Sequence, residues 1–121
     1  MRILLLCLVF IPLFGKANPT AKIIDSLEVE LNRHPINTKE KVLSLNQLGF
    51  YYWIVDPVKS IFYGNRAIVA AEDLDDNEGK AFAYRVIGVG YWAKGEMDKA
   101  SANLQSSIQL YEQLEDKLGI A

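Results

Sequence analysis

Leu48-Gly49-Phe50-Tyr51-Tyr52-Trp53 and Ile87-Gly88-Val89-Gly90-Tyr91-Trp92 share one pattern at a separation of 39 positions: a large aliphatic residue, glycine, two variable residues, tyrosine, tryptophan. Downstream, Leu74-Asp75-Asp76-Asn77-Glu78-Gly79-Lys80-Ala81 returns as Leu114-Glu115-Asp116-Lys117-Leu118-Gly119-Ile120-Ala121 at a separation of 40. Ala67-Ile68 and Ser107-Ile108 keep the separation of 40, so one residue missing near Asp56 reconciles the two values. Self-similarity at such a period marks a chain of repeated supersecondary units, each of which buries its apolar face only against its neighbours.

Each period holds two helical stretches. From about Thr38 to Ile54, Val42, Leu45, Leu48 and Tyr52 recur at three- and four-residue steps, the signature of a helix with one apolar face. Asn37 with Glu40 three residues on has the form of a capping box at its start. Asp56-Pro57 closes that helix and opens the next, since Asp caps and Pro fits the first helical position. The second helix runs to about Asp73 with Ile61, Ala67, Ile68 and Ala71 inward. Asp75 with Glu78 offers another capping box, opening a third helix that reaches about Lys94. Gly95 suits a left-handed stop, and a fourth helix follows from about Met97 to Leu114. Upstream, Ala21–Arg33 carries Ile23, Ile24, Leu27 and Leu31 at helical spacing and ends at His34-Pro35. With no strand pattern anywhere, the sequence predicts an all-α fold.

The N-terminus has a different character. Arg2 precedes an apolar run, Ile3–Phe14, unbroken apart from Pro12, and Gly15-Lys16-Ala17 places small residues where a signal peptidase acts. The run has 12 residues, against the roughly 20 that span a bilayer, so it reads as a cleaved leader rather than an anchor. Leu6 is too large to precede a lipid-modified Cys7. Over the whole chain 50% of residues are hydrophobic and 23% charged, the balance of a folded domain. A formal charge of −2 offers no basic surface for nucleic acid or anionic lipid. Cleavage would remove Arg2 and Lys16 and leave −4. Cys7 is the single cysteine, so disulfides, zinc–thiolate sites and cysteine nucleophiles are excluded.

The repeat resembles the tetratricopeptide repeat. Leu45-x-x-Leu48-Gly49-x-x-Tyr52 and Tyr84-x-x-Ile87-Gly88-x-x-Tyr91 carry its first-helix pattern, Ala100 followed by Leu104 continues the second copy, and Gly95-Glu96-Met97-Asp98-Lys99-Ala100 is similar to its inter-helix turn. Ser60 and Gly64 depart from the family's residues at the matching positions of the first copy, and the period of 40 exceeds the usual 34. The resemblance implies tandem antiparallel hairpins of a tetratricopeptide-like α-solenoid, divided as a signal peptide over 1–17, an N-terminal helix in 18–36, hairpins over 37–76 and 77–116, and the start of a truncated third repeat at 117–121. Gly49 and Gly88 sit mid-helix, where glycine costs about 1 kcal/mol against alanine, so a second helix is expected to cross there. Ser60, Ala67 and Ala100 are the small residues expected opposite them.

The resemblance also implies that the first helices line a concave surface. Asn46, Phe50 and Trp53 then project from one hairpin and Arg85, Val89 and Trp92 from the next. Aromatic anchors with an arginine and an amide suit an extended or helical peptide, while the two tryptophans fit the inter-repeat core equally well.

Other chemistry is poorly represented. Asp73, Asp75, Asn77 and Gly79 suggest a calcium loop, but Glu78 and Tyr84 stand where an EF-hand needs glycine and a bidentate glutamate. His34 is the one histidine, and neither a phosphate-binding loop nor a nucleophile elbow is present. The sequence therefore predicts no catalytic residue, cofactor or metal. Its expected role is that of an exported scaffold, periplasmic or extracellular, that binds a protein or peptide, with no nucleic-acid partner and no membrane insertion by the mature residues. The alternative is the periplasmic sensory region of a bacterial signal-transduction protein, a membrane sensor histidine kinase or a transcriptional regulator, with its membrane-anchored output domain downstream. A spanning helix and an output module in the following reading frame would distinguish the two.

Overall fold

The computed structural model describes residues 18–118, so the expected leader at 1–17 and residues 119–121 of the expected third repeat lie outside the described residues. Five helices follow one another: α1 (Pro19–Arg33), α2 (Lys39–Val55), α3 (Pro57–Asp73), α4 (Asn77–Ala93) and α5 (Met97–Leu118). Each packs antiparallel on the one before it, and α2 also meets α4. The fold is all-α, as the periodicity predicts.

Short connections made of capping residues enforce this order. Asp56 ends α2 with its N–H on the Tyr52 carbonyl at 2.7 Å and opens α3 by accepting from the N–H groups of Val58 and Lys59, with Pro57 in the first turn. One residue thus serves two helices, which obliges them to lie side by side. The α3–α4 and α4–α5 turns share another construction. Asp75 and Gly95 take positive φ (53° and 81°), and the next N–H, of Asp76 or Glu96, returns to the carbonyl of Ala71 or Tyr91 at 2.8 and 2.9 Å.

Two expected caps are displaced by one residue. Thr38, not Asn37, caps α2, its Oγ1 accepting from Lys41 N–H at 3.1 Å. Asn37 instead donates from Nδ2 to Asp73 Oδ2 at 3.1 Å, joining the start of α2 to the end of α3. Asp76, not Asp75, caps α4 and accepts from Gly79 N–H at 2.9 Å, because Asp75 is the residue that reverses the chain. Helix α1 begins at Pro19, two residues before the expected start, behind an Asn18 cap. Helix α5 runs to Leu118, past the expected end near Leu114. Glu115 and Lys117, both good helix formers, replace the Asp75 and Asn77 that favour the turn in the first period.

The core lies around α2. Val42, Leu45, Leu48 and Tyr52 are buried there with Ala67, Ala70 and Ala71 of α3, Ala83 of α4, and Ile24 and Leu31 of α1. With α1, α3 and α4 all against it, α2 is apolar on several sides rather than along one stripe. The mid-helix glycines are explained by the same packing. A Cβ on Gly49 would lie 2.5 Å from Val86 Cγ1 and 3.1 Å from the Ser60 carbonyl, and one on Gly88 2.7 Å from Leu104 Cγ and 3.2 Å from the Ala100 carbonyl. Ser60 seals the first crossing by donating from Oγ to the Gly49 carbonyl at 2.6 Å. Ala67 is buried too but does not approach either glycine closely.

Tyr52 anchors α1. Its hydroxyl donates to Glu28 Oε1 at 2.8 Å while its ring stacks on Tyr63 at 5.7 Å. Burial, and then the adjacent carboxylate, push the phenol up to about 12. His34 closes the other end of α1 by pairing with Glu30 at 2.8 Å.

Candidate functional site

Helices α2 and α4 occupy equivalent places, one in each period, and touch along one seam. Lys39, Leu43, Asn46, Phe50 and Trp53 follow one another on α2 at steps of three or four, and Glu78, Phe82, Arg85, Val89 and Trp92 repeat those steps on α4. Residues at such steps share a helix face, so the two ladders face the same seam.

Two cavities lie along it. The first, about 320 Å³, is lined by Lys39, Leu43, Asn46, Glu78, Phe82 and Arg85 among others. The second, about 170 Å³, is enclosed by Phe50, Trp53, Ser60, Arg85, Val86 and Val89. Arg85 borders both, with its guanidinium 4.6 Å from the centre of the Phe82 ring. Trp53 and Trp92 close the far end, their ring centres 6.1 Å apart at 53°. Trp92 is 53% exposed and Phe50 46%, so neither belongs to the core, and Trp53 is half-buried between them and the interior.

Four of the six residues singled out from the sequence (Phe50, Trp53, Arg85 and Val89) thus line one cavity, and Trp92 lies against Trp53. Asn46 behaves differently. It is wholly buried, and its Nδ2 donates to the Gly79 carbonyl at 3.0 Å, leaving Oδ1 without a protein partner. Its first duty is to fix the start of α4 against α2. Gly79 permits that approach, because a Cβ there would lie 2.6 Å from Val42 Cγ1 and 2.5 Å from Asp76 Oδ2.

Sequence reasoning missed Lys39, Leu43, Glu78 and Phe82, although extending the 39-residue register one turn upstream from Asn46 and Arg85 finds Leu43 and Phe82, and a second turn finds Lys39 and Glu78. Tyr111 of α5, which also borders the larger cavity, has no such signal and is brought there by tertiary packing. Of the carboxylates at the α3–α4 turn, Asp73 accepts from Asn37, and Asp76, which borders the larger cavity, caps α4.

No family model matches this chain, and neither a curated protein nor a solved structure matches it. Fold and site define an all-α domain of sequential antiparallel helices with an aromatic seam open to solvent between its second and fourth helices.

Proposed function

We propose that this chain is an exported helical-repeat scaffold of the tetratricopeptide type, which holds a protein or peptide segment along the α2–α4 seam and performs no catalysis itself. The repeat reading is supported by recurrence in three dimensions. Gly49 on Ser60 and Gly88 on Ala100 are matching crossings one period apart, and the helices touch in the order expected of stacked hairpins. Export is supported by the Arg2, Ile3–Phe14 and Gly15-Lys16-Ala17 pattern.

One observation carries the binding assignment: Phe50 and Trp92 stay about half exposed beside cavities that Arg85 borders. Large aromatics left in water next to an arginine are the residue types on which interface energy concentrates. A linear 12-residue peptide library displayed on phage and selected on the immobilised full chain tests it. Selected peptides should bind Trp92→Ala and Arg85→Ala about tenfold more weakly, since a residue at the centre of an interface contributes more than about 1.4 kcal/mol, while helicity by circular dichroism stays at the wild-type level. Equal binding by wild type and both variants would rule out the seam as the site.

A further inference from the structure

The two hairpins carry cavities at equivalent places away from the α2–α4 seam, and the two differ in chemistry. In the first hairpin Lys41 and Leu45 of α2 and Phe62, Arg66, Val69 and Ala70 of α3 line about 400 Å³. One period on, Lys80 and Tyr84 of α4 and Ser106, Gln109 and Leu110 of α5 line about 190 Å³. The matching residues are 39 apart on the first helix of each hairpin and 40 apart on the second, and Ala102 stands in the place of Phe62. Phe62 and Val69 are 54% and 67% exposed, so helix packing does not call for them. The second hairpin closes its Gly88–Ala100 crossing with Ala102 and Gln109 instead. Helix α1 packs on α2, and α4 packs on both α2 and α3, so this opening is not an end left without its neighbour.

Charge separates the two places as well. Lys80 pairs with Glu72 at 3.1 Å, whereas its counterpart Lys41, half-buried, reaches only the Pro35 carbonyl at 3.4 Å. Arg66 has no counterpart cation in the second hairpin, where Ser106 stands. Its guanidinium lies over the Phe62 and Tyr63 rings at 5.7 and 5.8 Å. Neither Lys41 nor Arg66 pairs with a carboxylate among the described residues. Asp73 stands at the edge, accepting from Asn37, which also lines the cavity. Two cations and one carboxylate thus surround a floor of Leu45, Phe62, Val69 and Ala70.

We propose that the α2–α3 cavity binds a free amphiphilic monoanion of the fatty-acid class. Its carboxylate sits between Lys41 and Arg66, and its aliphatic body covers the apolar floor. A single excess positive charge suits one carboxylate rather than a polyanion. The apolar lining stabilises a ligand in proportion to the hydrocarbon it removes from water, which an acetate-sized anion lacks. The volume falls in the range of small-molecule sites, about 300–1,000 Å³.

Nitrogen–proton correlation NMR of the chain as recovered from the expressing cell, titrated with octanoate, tests this. Amides at the start of α2 and the end of α3 should shift and saturate with a Kd at or below about 1 mM, and neither acetate nor octylammonium should saturate them in that range. Lys41→Gln and Arg66→Gln should each raise the Kd about threefold, the scale of an exposed charge pair. Phe62→Ala, Arg66→Ser and Val69→Gln together install the second hairpin's residues, and should abolish saturation while circular dichroism stays at the wild-type level. Arg85→Ala, on the seam, should bind octanoate as the wild type does. No saturation by about 10 mM octanoate overturns the proposal, as do equal binding of octylammonium and shifts confined to the seam. Wild-type affinity in both single charge variants, or in the folded triple variant, overturns it too. Binding to phosphatidylglycerol vesicles without binding to free octanoate would assign the cavity to a membrane surface instead.

Discussion

Backbone conformation and steric room make opposite demands at two neighbouring kinds of position. Asp75 reverses the chain at φ 53°, a conformation that aspartate tolerates but glycine adopts without cost, whereas Gly49 sits in a regular helix where only the lack of a Cβ admits Val86 and Ser60. The two substitutions should therefore change stability in opposite directions. Asp75→Gly should stabilise by about 0.5 kcal/mol, relief of left-handed strain slightly exceeding the added freedom of the unfolded chain. Gly49→Ala should destabilise by about 1–3 kcal/mol, as overpacking does, because the Ser60 carbonyl is backbone and cannot turn aside. Urea midpoints at constant slope measure both.

Among the elements, α1 depends most on a single side chain. Among the described helices it packs on α2 alone, through Ile24, Leu27 and Leu31, and Tyr52 supplies the hydrogen bond that secures it at Glu28. Because the folded state raises the Tyr52 phenol to about 12 from its ordinary 10, the neutral form is favoured by folding. That contribution is fully present below pH 10 and is lost as pH rises through 12. Tyr52→Phe should cost about 1.5 kcal/mol at neutral pH, the scale of a hydrogen bond to a charged acceptor. The variant should also show a shallower fall in urea midpoint between pH 10 and 12 than the wild type. An equally steep fall would assign the alkaline loss to other groups.

For the whole molecule, the proposed cleavage site and the fold fit together. Cutting after Ala17 leaves Asn18 as the first residue, and Asn18 caps α1 by accepting from the Ala21 N–H at Oδ1, so processing would preserve the first helix intact. Mass spectrometry of the periplasmic or extracellular fraction should find an N-terminus at or near Asn18, and an intact Met1 on a cytosolic pool would contradict export. Much of the architecture is legible in the amino-acid sequence. The 39- and 40-residue separations, the Asp56-Pro57 junction and Gly95 fix the number, order and reversals of α2 to α5 within a few residues, because caps and turns are chosen by local backbone chemistry. The candidate seam is legible too wherever it follows the repeat register, as at Phe50 with Val89 and Trp53 with Trp92. Tertiary packing decided what no local rule reaches. It made Asn46 a strut rather than a free amide by bringing the Gly79 carbonyl within 3.0 Å, and diverted Asn37 from capping to Asp73. It also left Trp92 and Ile108 more than half exposed among the described helices, because burial depends on which helix arrives from elsewhere in the chain, whereas helical spacing specifies only the face on which a residue stands.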